Sequence, residues 1–82
     1  MKKKVLLALG KSVKIQRTLL GISQEELGLR SGLDRTYISG IERGVRNPSF
    51  TALVALSQGL GLTVSELFFD LEKEIFNINE HK

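Results

Sequence analysis

Helix-capping residues recur along this 82-residue chain, and they constrain its fold more than any other feature. Ser23 and Thr63 are each followed three residues later by a glutamate, as in a capping box, in which cap and glutamate satisfy backbone N–H groups reciprocally. Asp34 offers a third cap. Asn47-Pro48 predicts a fourth start, with proline at the first helical position, where its missing N–H costs nothing. These four signals predict a chain of short helices.

Glycines and apolar spacing support the same interpretation. Glycines stand where a left-handed residue commonly ends a helix, at Gly21, Gly32, Gly44 and Gly61. Apolar residues recur three and four positions apart, as at Leu6, Leu9 and Val13, and Leu20 continues this stripe. We therefore predict one all-α domain, spanning residues 1–82, with five helices over about 5–20, 24–31, 35–43, 48–59 and 64–77.

Residues 24–43 form the most informative unit. The predicted second and third helices are separated only by Gly32-Leu33-Asp34, and two short helices joined by a tight glycine turn are typical of a helix-turn-helix. Gly28 is small where the two helices are expected to cross. Apolar residues occupy the packing positions, namely Leu27, Leu33, Ile38 and Ile41. The pattern predicts a DNA-binding unit whose third helix enters the major groove.

The outward face of the predicted third helix is polar and basic. We expect four residues to read base edges: Arg35, Thr36, Ser39 and Arg46. An arginine can donate two hydrogen bonds to guanine, and a threonine methyl can contact thymine. Gly40 lies on the same face and has no side chain, so we expect it to let the backbone approach the DNA closely.

Other residues suit phosphate oxygens. We assign the DNA backbone contacts to Gln24, Tyr37, Arg43, Asn47 and Arg17, and Ser39 and Arg46 suit phosphates as well as bases. Gln24 opens the second helix, where free N–H groups and the helix dipole favour an anion. Arg17 also lies in the apolar stripe of the first helix, and Glu42 flanks the buried face of the third. We therefore expect a partly buried ion pair between them.

The two ends of the chain differ in charge. Residues 1–50 contain ten Lys/Arg and four Asp/Glu, a net charge of +6, whereas residues 51–82 contain two and five, a net charge of −3. The first part suits a polyanion and the second a protein partner. Phe69 and Phe76 lie outside the predicted core stripe of the fifth helix. We predict that this helix (64–77) forms a homodimer interface, with contacts at Leu60, Phe68, Phe69 and Phe76.

These residues resemble the phage-repressor/Cro-like helix-turn-helix family over roughly residues 9–70. The shared residues are Arg17, Ser23-Gln24-Glu25-Glu26-Leu27, Gly32, Ile38, Ile41-Glu42-Arg43-Gly44 and Asn47-Pro48-Ser49. The stretch 33–43 is still more similar to the controller proteins of restriction–modification systems. The resemblance implies a lambda-repressor-like domain, a homodimer, and a palindromic operator near the protein's own promoter. It also implies activation or repression of a linked endonuclease gene. Gly28 replaces the alanine usual in the family, and Gly40 replaces a glutamine with which some phage repressors read a base.

Other classes of function find little support in the sequence. It has no cysteine, its single histidine is His81, and it lacks a phosphate-binding glycine loop and a metal-ligating cluster. We therefore expect neither an enzyme nor a cofactor. The alternatives are a phage-type repressor and an antitoxin-like interaction module of the same fold, and the basic third helix argues against the second. The apolar run 5–9 is too short for a signal peptide or a membrane span, which predicts a cytoplasmic protein without membrane contact. RNA polymerase is a further candidate partner.

Overall fold

In the computed structural model, residues 2–80 are described, with side chains over 2–76, and this part of the chain contains five helices and no strand. The helices are α1 (Lys2–Leu19), α2 (Gln24–Ser31), α3 (Arg35–Glu42), α4 (Phe50–Gly59) and α5 (Val64–Glu80). The predicted all-α fold and order of helices are confirmed. His81 lies outside the described residues.

The two predicted capping boxes differ in completeness. At the start of α5 the box is reciprocal: the Thr63 N–H donates to the Glu66 carboxylate at 2.8 Å, and the Glu66 N–H donates to the Thr63 hydroxyl at 3.1 Å. At the start of α2 the Ser23 hydroxyl accepts the Glu26 N–H at 3.0 Å. The Glu26 carboxylate instead pairs with Arg30, one turn further along, so only half of this box forms.

The predicted start of α4 at Asn47-Pro48 is wrong by two residues. Ser49 is the N-cap: its backbone is extended, and its hydroxyl accepts the N–H of Ala52 at 3.2 Å. A hydroxyl at this position satisfies a free helical N–H, which a proline ring cannot do. Pro48 is buried just before the cap, so it belongs to the connection between α3 and α4.

The core lies where the five helices meet. Its buried members are Leu9, Val13, Leu27, Ile38, Ile41, Leu56, Leu60 and Leu67. Leu27, Ile38 and Ile41 therefore pack as predicted, and Leu33 packs against them at the edge. Leu20 is exposed, contrary to its place in the predicted stripe, because α1 ends at Leu19 and the chain turns away at Gly21, whose φ is +70°.

Two helical glycines allow close backbone contacts around α3. A Cβ atom on Gly28 would lie 2.6 Å from the carbonyl oxygen of Leu33, so α2 packs directly against the turn that leads into α3. A Cβ atom on Gly10 would lie 2.5 Å from the carbonyl oxygens of Ile41 and Glu42, which brings α1 against the end of α3. The first contact fits the predicted role of Gly28. The contact at Gly10 was not predicted. A glycine inside a helix costs roughly 1 kcal/mol of helix propensity, so its presence there was a signal that another element packs closely against it.

No single helix within residues 2–80 has the length and apolar character needed to cross a membrane. Helices α4 and α5 reach that length and composition only when they are taken together, and they meet at an angle of 102°.

Candidate nucleic-acid interface

The reading face begins at the amino end of α3. Asp34 caps the helix by accepting the N–H of Thr36 at 3.2 Å, as the sequence predicted. Arg35 and Thr36 follow directly, and both are exposed. A helix amino end presents free N–H groups and a partial positive charge. The structure thus places the two predicted base-reading residues where a recognition helix presents its side chains to base edges.

The later turns of this face carry Ser39 and Arg43. They are four residues apart, and the Arg43 Nε donates to the Ser39 hydroxyl at 3.4 Å. Ser39 is half-buried and Arg43 is exposed. This bond leaves the remaining guanidinium N–H groups of Arg43 at the surface, where they can reach a phosphate or a base.

One flank of the reading face carries Tyr37 and Gly40, and Arg46 lies across both. The guanidinium carbon of Arg46 is 5.3 Å from the centroid of the Tyr37 ring. The expectation that the Gly40 backbone is open to DNA is wrong, because Gly40 is buried beneath the aliphatic stem of Arg46. The loop after α3 folds back over the helix, so the arginine covers the space that a side chain at position 40 would occupy.

Glu42 joins three helices behind the reading face. It accepts hydrogen bonds from Arg17 Nε at 2.6 Å, from Arg17 Nη2 at 3.1 Å and from Gln24 Nε2 at 3.0 Å. The Arg17 and Glu42 side chains are 12% and 4% exposed, which confirms the predicted ion pair and its partial burial. The hydrogen bonds from Arg17 to Glu42 raise the pKa of Arg17, and their charge attraction adds to this, while burial acts in the opposite direction.

This network changes the expected roles of two residues. The third nitrogen of Arg17, Nη1, donates to the carbonyl of Ile22 at 2.8 Å, so all three nitrogens bond within the chain. We therefore assign Arg17 to the support of α3, and correct its expected contact with the DNA backbone. The Gln24 side chain is half-buried and bonded to Glu42, so its amide nitrogen is also engaged. The hydrogen bond between Gln24 and Glu42 was not predicted, because two residues 18 positions apart leave no local signal in the sequence.

The remaining phosphate candidate, Asn47, is exposed in the loop between α3 and α4. It stands between Arg46 and the buried Pro48, on the connection that returns the chain from the recognition helix. Its side chain is thus available at the surface, and its contact with DNA stays a prediction.

Helix α5 presents aromatic side chains away from the core. Phe69 and Phe76 are 61% and 62% exposed, and together with Glu72 and Lys73 they line one shallow groove. The Lys73 ammonium lies 4.9 Å from the Phe69 ring centroid. We call Phe68, Phe69 and Phe76 the aromatic surface of α5. Phe68 is 38% exposed, so a side chain predicted at the dimer contact lies at the surface of the chain.

Leu60 does not belong to this surface. It was expected at a dimer contact, but it is 3% exposed and packs inside the chain with Leu56 and Leu67. The reason is the turn that follows it. Gly61 has a φ of +72° and turns the chain sharply into α5, so Leu60 lies in the angle between α4 and α5.

The fold and the exposed polar face of α3 define a helix-turn-helix protein, and a comparison with known families agrees. A family model described as helix-turn-helix matches residues 13–67, which includes the whole of α2 and α3. The chain belongs to this family.

Several of the proteins to which this chain is similar are controller proteins of restriction–modification systems. The chain is 49% identical over 61 residues to the control protein C.MunI of a Mycoplasma species, covering 74% of this chain and 82% of that protein. The controller protein C.AhdI of Aeromonas hydrophila has 43% identity and a TM-score of 0.74, with 77% and 96% covered. The C.Esp1396I tetramer, solved with its natural 35 base-pair operator, has 40% identity and a TM-score of 0.83, with 88% and 95% covered. The similarity to controller proteins that the sequence indicated is confirmed.

Proposed function

We propose that this chain is a transcription regulator of the restriction–modification controller type, which binds a palindromic operator as a homodimer. The observation that carries the proposal is the exposed, basic and polar face of α3 on a helix-turn-helix scaffold. The similarity to controller proteins, one of them solved with its operator, supports the same function. A regulator of this kind acts by binding, so we propose no catalytic activity and no cofactor.

Base reading is assigned to the amino end of α3 and to the arginine that lies over it. Arg35 is exposed at the first residue of the helix, so its guanidinium can donate a pair of hydrogen bonds to guanine. The Thr36 methyl can contact thymine. The Ser39 hydroxyl can bond to a donor or to an acceptor group on a base edge, because it both donates and accepts hydrogen bonds. Arg46 reaches the same groove from the loop, because Tyr37 holds its guanidinium against the helix.

Phosphate binding is assigned to residues at the edges of the reading face. Arg43 is exposed at the carboxyl end of α3, and Asn47 is exposed in the following loop. The amino end of α2 supplies backbone N–H groups beside Gln24, which suits a phosphate oxygen. Tyr37 is half-buried with its ring under Arg46, and its hydroxyl is a further donor.

The central test is selection of bound sequences from a random DNA pool. A dimer that places two recognition helices in successive major grooves should select two inverted half-sites, with centres about 10–10.5 base pairs apart or a multiple of that spacing. The enriched consensus is then used as a duplex probe in all binding measurements. If the purified chain enriches no consensus, or only a single half-site, the proposed palindromic operator is wrong.

The homodimer is supported by the aromatic surface of α5. Exposed aromatic side chains that line one groove, as Phe69 and Phe76 do, more often belong to an interface than a single exposed aromatic residue does. Acidic residues accompany them along α5, namely Glu66, Asp70, Glu72 and Glu74. This charge disfavours contact with phosphates, so the surface suits a second protein chain on the side away from DNA.

Charge substitution on this surface tests the dimer. Phe69→Glu should produce a folded monomer in analytical ultracentrifugation at micromolar concentration, with strongly reduced affinity for the consensus duplex, because a buried unpaired carboxylate opposes association. Phe50→Glu is the matched control, since Phe50 is 63% exposed, about as much as Phe69, but lies at the start of α4. If Phe69→Glu remains dimeric, or if Phe50→Glu becomes monomeric, the dimer interface does not lie on the aromatic surface of α5.

Binding measurements do not identify the regulated gene or distinguish activation from repression. Transcription assays are needed for both. If the operator overlaps or adjoins a promoter, transcription in vitro with RNA polymerase distinguishes activation from repression. Activation would make RNA polymerase a direct partner of this chain, and repression would require only occupancy of the promoter. Because the proposed target is DNA, we place the protein in the cytoplasm.

A further inference from the structure

Gly40 is an unusual residue on the recognition helix because it is both buried and without a side chain. A Cβ atom built at this position would lie 2.5 Å from the Cγ of Arg46 and 3.6 Å from its Cβ and Cδ. Non-bonded carbon atoms do not approach to 2.5 Å, so the arginine stem occupies space that any other residue at position 40 would take. The two residues therefore form one complementary contact.

The loop after α3 brings Arg46 to this place by backbone hydrogen bonds. The Gly44 N–H donates to the carbonyl of Ile41 at 3.0 Å, and the Val45 N–H donates to the carbonyl of Gly40 at 3.0 Å. These bonds are typical of a Schellman motif, in which a left-handed glycine ends the helix, and Gly44 has a φ of +76°. Arg46 follows directly, so its stem is directed back along the helix across Gly40.

The head of Arg46 then lies over Tyr37, which is three residues before Gly40 and thus its neighbour on the helix surface. The guanidinium carbon is 5.3 Å from the ring centroid, within the range of a cation–π contact. We propose that Gly40 is a specificity-determining residue that acts through Arg46. Its missing side chain forms the seat for the arginine stem and so positions the guanidinium beside Tyr37 on the reading face.

Any side chain at position 40 would displace the Arg46 side chain close to its own backbone. The closest atom is Cγ, so the whole side chain beyond it must take another rotamer, and the guanidinium leaves the Tyr37 ring. The helix itself tolerates alanine, which is a better helix former than glycine. The expected consequence of Gly40→Ala is therefore a misplaced arginine on a folded protein. This inference rests on the proposed function, because Arg46 matters only if α3 reads DNA.

The test is a double-mutant cycle on DNA binding with thermal unfolding measured in parallel. The affinities of the wild type, Gly40→Ala, Arg46→Ala and the double variant are measured on the selected consensus duplex and on duplexes with single base changes. Gly40→Ala should lose about tenfold in affinity for the consensus and should discriminate less between bases, as expected when one base-contacting arginine is displaced. In the Arg46→Ala background the same change should alter affinity less than about twofold, since the atom it displaces is gone.

The Arg43→Ala background is the matched control, because it also removes one arginine from this surface but leaves the stem of Arg46 in place. There Gly40→Ala should keep its full tenfold effect. An equal loss in the wild-type and Arg46→Ala backgrounds overturns the proposal, because the effect of Gly40→Ala would then not pass through Arg46. If Gly40→Ala fails to fold, recovery of folding in the double variant supports the contact, and no recovery refutes it. A wild type that selects no consensus contradicts the proposed function instead.

Discussion

Removal of the Glu42 carboxylate should destabilise this protein more than the loss of any exposed ion pair. Glu42→Ala leaves Arg17 without the acceptor for its Nε and Nη2 groups and leaves the Gln24 amide nitrogen unbonded. Breaking a buried pair from one side costs about 3–5 kcal/mol, because a buried charge remains uncompensated. Arg17 keeps its bond to the Ile22 carbonyl and is 12% exposed, so we expect the lower end, about 3 kcal/mol.

A loss of that size is easily measured. A chain of 82 residues is expected to have a free energy of unfolding of roughly 4–12 kcal/mol. For a domain of this size, 1 kcal/mol corresponds to about 4–8 °C in melting temperature, so Glu42→Ala should lower Tm by roughly 12–24 °C. Circular dichroism at one fixed protein concentration is the assay, because the proposed dimer would make Tm depend on concentration.

The double-mutant cycle distinguishes the ion pair from lost packing. Arg17→Met should also destabilise the protein, but Arg17→Met/Glu42→Ala should be less destabilised than the sum of the single variants, by about 1–3 kcal/mol, because no charge remains unpaired. The exposed pair of Glu26 and Arg30 is the control. Their side chains are 45% and 46% exposed, so Glu26→Ala should cost less than about 1 kcal/mol. Strict additivity in the cycle, or an unchanged Tm for Glu42→Ala, would refute the proposed role of the pair.

The other predictions concern DNA contacts and helix caps. Arg35→Ala should weaken binding to the consensus duplex by about 1–3 kcal/mol and relax the preference at one position of each half-site, whereas Arg43→Ala should weaken all sequences evenly and reduce the salt slope by about one. Competition and salt titrations measure both, and equal losses on consensus and random DNA for Arg35→Ala would remove it from the base-reading set. Thr63→Ala should cost about 1–2 kcal/mol by urea unfolding and Ser23→Ala less, because only Thr63 belongs to a reciprocal capping box. The reverse order would contradict this interpretation of the caps.

Much of this molecule was predictable because its signals are local. A cap residue and the N–H it satisfies lie within three or four positions of each other, and so do successive residues on one face of a helix. For this reason Ser23, Asp34 and Thr63 identified their helices correctly, and the outward position of Arg35 and Thr36 followed from helical geometry. The start of α4 was misplaced where two local signals, Pro48 and Ser49, competed within two residues.

The sequence by itself determined the five helices, the helix-turn-helix and which face of α3 is basic, since each depends on neighbouring residues. Only the tertiary structure decided what those residues contact. It buried Leu60, bonded Gln24 to Glu42, and laid Arg46 over Gly40. These outcomes depend on the turn at Gly61, on how α2 packs beside the end of α3, and on how the loop after α3 folds back. The Gln24–Glu42 contact spans 18 positions and follows no period in the chain, so it is set by packing alone.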